Sequence, residues 1–166
     1  MNRIFLAILV VAGLSACRHG AVDGGFYTKS ETRYYVGQAP SGWRRVDFQD
    51  NDVAYASRDG QHLVATNATC KEYEDAPLKV LLRHLLMGFT ELKMLDQQTK
   101  MLDGREALFS HFTAKLDGVP RELQLVVMKK DGCIYDLMQI SPVGQLDPDR
   151  AAFDQLLAQF KTEPPR

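Results

Sequence analysis

MLDGREALFSHFTAKLDGVPRELQLVVMKKDGCIYDLMQIS, residues 101–141, is the stretch on which the fold turns. It carries three Asp-Gly pairs, Asp103-Gly104, Asp117-Gly118 and Asp131-Gly132, fourteen residues apart and each set between strand-like runs. Asp-Gly favours the type I′ turn, because both central residues need positive φ, which Gly adopts freely and Asp tolerates, and the resulting twist suits paired antiparallel strands. The spacing therefore predicts a meander of long strands. Two-residue loops at all three turns would place Leu102 opposite Arg105, Leu116 opposite Val119 and Lys130 opposite Cys133, which fixes the register.

That register sorts the side chains onto two faces. One face carries Leu95, Phe112, Leu123 and Ile140 in a cross-strand row, with Leu108, Leu125, Val127 and Met138 beside it. On the other, Phe109, Val126 and Leu137 fill one part, while Asp96, His111, Gln124 and Gln139 form a polar row next to Thr113, Glu122 and Ser141. Two largely apolar faces need cover on both sides.

Working outward, residues 34–36, 43–46, 53–57 and 61–69 read as shorter strands, the last two joined by Asp59-Gly60. A helix over 76–89, capped by Asp75, repeats Leu78, Leu81, Leu82, Leu85, Leu86 and Phe89 at three- and four-residue spacing, with Lys79 and Arg83 outside and Gly88 near its end. A second helix begins with Asp147 as cap and Pro148 in the first turn, and buries Phe153, Leu156, Leu157 and Phe160. The expectation is a single α+β domain over 33–161, an antiparallel sheet flanked by two helices as an α-β-α sandwich. Pro164 and Pro165 cannot continue a helix, so 162–166 reads as a frayed, disordered tail.

Pro40-Ser41-Gly42-Trp43, a following strand, Asp59-Gly60, an apolar strand ending near Asn67, the helix over 76–89, the meander and a closing helix together resemble the Mog1/PsbP-like family across residues 34–161. The resemblance implies a curved antiparallel sheet flanked by helices and a non-catalytic accessory or binding role. It places no binding residues on this chain.

The first residues carry a separate signal. Asn2 and Arg3 precede an apolar run over 4–12, too short to span ~30 Å of hydrocarbon and stopped by Arg18 and His19. Leu14-Ser15-Ala16-Cys17 resembles the bacterial lipobox. That resemblance implies removal of 1–16 as a signal peptide and acylation of Cys17, with more than one chain giving stable anchoring. Arg18 stands where lipoproteins retained at the inner membrane usually have Asp, so the expected address is the outer membrane, facing the periplasm. Residues 17–32, with Gly20, Gly24, Gly25, Thr28 and Ser30, read as a flexible tether.

With 20 Lys and Arg against 21 Asp and Glu, the basic residues scattered, the chain lacks the clustered positive charge that nucleic acid requires. Cys70 and Cys133 are the cysteines left besides Cys17. In an oxidising periplasm they can form a disulfide; the alternatives are buried free thiols or a redox pair, the last lacking a Cys-x-x-Cys motif. His111 opposite Asp96 has the makings of an oriented general base or metal ligand; the simpler reading is a hydrogen-bonded histidine among amides, and between them stands a polar binding row of Asp96, His111, Gln124 and Gln139. Glu72, Glu74 and Asp75 either attract a cation or complement a helix N-terminus, the latter fitting better. His62 and His84 stand alone, Met87, Met94, Met101, Met128 and Met138 read as packing, and Tyr34, Tyr35 and Trp43 as packing or a partner patch.

No Gly-x-Ser-x-Gly elbow, His-Glu-x-x-His, Walker loop or EF-hand loop is present. The expectation is a non-catalytic envelope module with no cofactor or metal, bound to the membrane through its N-terminus and to another envelope component, a protein complex or a transport system. The competing class is a carrier of a small apolar ligand or lipid held between the sheet and the Leu-rich helix. A third class, hydrolase or oxidoreductase, has no motif behind it.

Overall fold

The meander supplies four of the seven strands of the larger sheet. In the computed structural model, which describes residues 22–29, 32–48, 51–70 and 76–163, strands β7 (Phe89–Leu102), β8 (Arg105–Leu116), β9 (Val119–Lys130) and β10 (Cys133–Ser141) follow one another through two-residue loops. Asp103, Asp117 and Asp131 stand at φ 46°, 50° and 51° and the glycines after them are also positive, the requirement that selects Asp-Gly there. Leu102 pairs with Arg105, Leu116 with Val119 and Lys130 with Cys133.

The register slips twice, both times in the pairing of β7 with β8. Shifts between Thr90 and Lys93 and between Met94 and Asp96 set Phe112 opposite Met94 instead of Leu95, and Leu95 stands 45% exposed. Met94, which takes its place in the row, is itself exposed, so the buried part of the row is Phe112, Leu123 and Ile140. β7 is an edge strand, and bulges bend such an edge out of line, which blunts it against pairing with other chains.

β4 (Arg44–Val46), β5 (Val53–Ala56) and β6 (Leu63–Thr69) complete a seven-stranded antiparallel sheet in the order β4-β5-β6-β10-β9-β8-β7. Helix α1 (Leu78–Leu85) lays Leu81 and Leu82, with the following Leu86, on Leu108, Phe112, Leu123, Leu125, Val127, Ile134 and Ile140. It is shorter than the periodicity predicts. The chain turns at Gly88, φ 92°, and Phe89 already belongs to β7, so its burial serves the sheet. Helix α2 (Asp147–Gln159) covers the other face, where Phe153, Leu156 and the adjoining Phe160 meet Tyr55, Val64, Val126, Met128, Tyr135 and Leu137. Its cap position falls on Leu146, and Asp147 is the first helical residue. Burying each such side chain contributes roughly 1.5–3 kcal/mol, so the two cores carry most of the stability.

Two boundaries differ from the sequence reading. β1 (Val22–Asp23) and β2 (Phe26–Thr28) lie within the expected tether, and β11 (Thr162–Glu163) within the expected tail. With β3 (Arg33–Tyr35) they form a second sheet in the order β1-β2-β3-β11. Gly24 and Gly25, read as linker, are turn residues at φ 55° and 82°. Tyr27 and Tyr34 anchor this sheet: the Tyr34 ring packs edge-on against Tyr135 at 5.4 Å, and its hydroxyl donates to Asp52 Oδ2 at 2.8 Å. At the other end, Asp103 Oδ2 accepts bonds from the Thr162 backbone N–H (2.9 Å) and Lys130 Nζ (2.5 Å), tying the last strand to a hairpin turn. Tyr34 is therefore core, and Trp43 is partly buried against the same cluster.

Cys17, Glu72, Glu74, Asp75 and residues 164–166 lie outside the described residues. Among the described residues, no helix is long and apolar enough to cross a membrane.

Candidate functional site

The polar row predicted from the turns exists in register. Asp96 pairs with His111, His111 with Gln124, and Gln124 with Gln139, crossing β7, β8, β9 and β10. The row lies on the face that α2 covers, and between helix and sheet it opens into a cleft of ≈ 250 Å³. Asp96, His111, Glu122 and Gln124 line one wall; Phe109, Phe153 and Leu157 give it an apolar side, and Lys100, Arg150 and Asp154 stand among its charged groups.

Within the cleft the bonds differ from the row. His111 Nε2 meets Glu122 Oε1 at 2.7 Å and makes no bond to Asp96. Glu122 sits diagonally across from His111, and a glutamate is long enough to reach the diagonal neighbour. Its second oxygen, Oε2, accepts the Gly144 backbone N–H at 2.6 Å, so both oxygens are occupied. Asp96 Oδ2 instead accepts from Gln98 Nε2 at 3.0 Å. Gln139 leaves the cleft altogether. It is fully buried, its Nε2 donates to the Leu146 carbonyl at 3.4 Å, and its Oε1 has no partner among the described residues.

Chemically, Glu122 and the Gly144 N–H fix the orientation of the His111 imidazole. The one hydroxyl among the lining residues, Ser110, follows strand alternation to the opposite face from His111, and its Oγ accepts from Gln97 Nε2 at 3.1 Å. Glu122, which fixes the imidazole, stands beside the row in sequence. Arg150, Phe153 and Asp154 join the site through α2, whose docking on the sheet no local pattern in the sequence specifies.

The other singled-out residues lie elsewhere. Cys70 Sγ and Cys133 Sγ are bonded, linking the end of β6 to the start of β10 beside the α2 core. His62 Nδ1 lies 3.2 Å from Ser141 Oγ, and His84 is exposed on α1. Met128 is buried, while Met87, Met94 and Met101 are exposed. Among the described residues, Asp136 is the carboxyl most shifted: burial, then the Asp52 charge, pushes its pKa up to about 7. It pairs with Val127 and points away from the cleft, into the α1 side. The space between α1 and the sheet, which a carrier would need, is filled by Leu81, Leu82 and Leu86.

No protein-family model matches the chain, and no curated protein matches it in sequence. Solved structures do. The solution structure of cyanobacterial PsbP (CyanoP) from Synechocystis superposes with a TM-score of 0.56 at 14% identity, covering 87% of this chain and 98% of that one. The fold is PsbP-like. LpqN of Mycobacterium tuberculosis, involved in cell envelope biogenesis, superposes at 0.54 with 15% identity over 76% of this chain and 82% of its own. PA94 of Pseudomonas aeruginosa, a protein of unknown function and putative regulator, does so at 0.50 with 13% identity, covering 85% and 96%. At such identities the PsbP-like likeness speaks for architecture alone, and it agrees with the antiparallel sheet flanked by two helices expected from the sequence.

Proposed function

We propose that the chain is a non-catalytic accessory module of the bacterial cell envelope, anchored through acylated Cys17 at the outer membrane and facing the periplasm. Its His111 cleft grips a polar segment of another envelope component, a protein complex or a transport system. The observation that carries this reading is the His111–Glu122–Gly144 chain of bonds, which spends the site's imidazole and carboxylate on each other and leaves a rigid, preorganised polar wall. The lipobox at Leu14-Ser15-Ala16-Cys17 supports the address, as does the PsbP-like architecture shared with LpqN, whose named involvement is in envelope biogenesis.

The test is in-cell crosslinking of affinity-tagged, lipidated protein, followed by mass spectrometry of the proteins and lipids recovered. A stoichiometric protein partner is expected with the native chain and is expected to be lost from His111→Ala. Recovery of a protein partner that His111→Ala leaves intact would remove the cleft from the reading. Recovery of a defined lipid and no protein would remove the adaptor role itself.

A further inference from the structure

A groove of ≈ 630 Å³ lies on the α1 side of the large sheet, the opposite face from the His111 cleft. Arg44, Ala56, Leu63 and Ile140 form one cross-strand row through it, and Leu63 and Ile140 belong to the α1 core. Alanine at position 56 leaves the floor low between Arg44 and Leu63, and Leu116 and Phe48 extend the apolar surface, Phe48 at 50% exposure. A half-exposed phenylalanine beside an open apolar floor is surface that a ligand can cover with gain.

The rim is predominantly cationic. Arg44, Arg45 and Arg121 line the groove with a single carboxylate, Asp47, which is 80% exposed and 3.8 Å from Arg45. Neither Arg44 nor Arg121 has an ion pair with a carboxylate among the described residues. Arg121 is held in place by Gln61, its Nη1 donating to the side-chain oxygen at 3.1 Å, with further guanidinium N–H groups left to donate elsewhere. Apolar floor and cationic rim together describe one ligand chemistry: an acyl tail ending in an anion that a guanidinium fork can take. The volume lies inside the ~300–1,000 Å³ usual for small-molecule sites.

We propose that this groove binds a single-chain anionic amphiphile, a free fatty acid, with its tail over Leu63, Ile140, Leu116 and Phe48 and its carboxylate between Arg44 and Arg121. This is a site separate from the His111 cleft, and it moves ligand carriage from beneath α1 to beside it. The test uses the full chain carrying Cys17→Ser, which bears no lipid, purified without detergent and titrated calorimetrically below micelle formation. Laurate, dodecyl maltoside and dodecyltrimethylammonium share a tail and differ in head. Laurate is expected to bind saturably at one per chain and at least ~10-fold tighter than the other two. Arg44→Gln/Arg121→Gln is expected to erase that preference with the melting temperature unchanged, and Phe48→Ala to weaken all three probes alike. His111→Ala should leave laurate binding intact, so the two sites fail separately. Equal binding of the three heads, a preference that survives the double substitution, unchanged affinities in Phe48→Ala, or no saturable binding of laurate would each overturn the proposal.

Discussion

Asp136 is a residue whose chemistry is set by where the strand points it. Its neighbours Tyr135 and Leu137 serve the α2 core, so alternation sends its carboxyl to the α1 side, where burial and the Asp52 charge push its pKa to about 7. In the unfolded chain the group ionises near its ordinary value of 3.8. Between those two values the unfolded state has released a proton that the native state still holds, so Asp136 works against stability as pH rises through the window, and the loss is complete above about pH 7. Asp136→Asn should melt several degrees higher than the native chain at about pH 8 and at the same temperature at about pH 4. A gap of equal size at both values would mean that packing, and not ionisation, sets the cost. Sequence alone placed Asp136 on a strand without marking it, since burial of a polar residue depends on what lies above the sheet. Gln139 teaches the same lesson: its row was legible, while its retreat beneath Leu146 depended on how α2 docks.

Among the elements, legibility followed locality. The turns that organise β7 to β10 are two-residue devices, and a device that short can be read from the residues themselves. The bulges in β7 could not be, because an edge strand with one neighbour is free to take an extra residue, and Leu95 lost its place in the core row for that reason. β1, β2 and β11 escaped because strands of two or three residues carry no periodicity, and what holds them is distant in sequence: Tyr34 against Tyr135, and Thr162 bonded to Asp103. β6 and β10 are neighbours in the sheet and are also joined by Cys70–Cys133, across a sequence separation of 63. Closing a loop of that length restricts the unfolded chain by about 4 kcal/mol in the chain-entropy account. Cys70→Ala/Cys133→Ala should therefore unfold at a markedly lower urea concentration, with native circular dichroism in the absence of denaturant. An unchanged midpoint would show that the antiparallel ladder alone sets the stability of this pair.

For the whole molecule, the PsbP-like architecture persists in CyanoP at 14% identity, which is what a binary pattern on a sheet with two covered faces allows. Nothing in that pattern carries an activity, so the cleft and the groove rest on this chain's own side chains. The proposed address rests on acylation of Cys17: Cys17→Ala should move the chain from the membrane fraction to the soluble periplasmic fraction on osmotic release, and retention with the membranes would point to an anchor other than the acyl group. Because β1 begins at Val22, only five residue steps separate it from Cys17, a reach of at most about 17 Å. With the proposed acyl group on Cys17, so short a leash would confine the molecule to a layer little more than its own thickness. Its encounters are then counted per area of membrane rather than per volume of periplasm, and a partner that never comes down to the leaflet is one it does not meet.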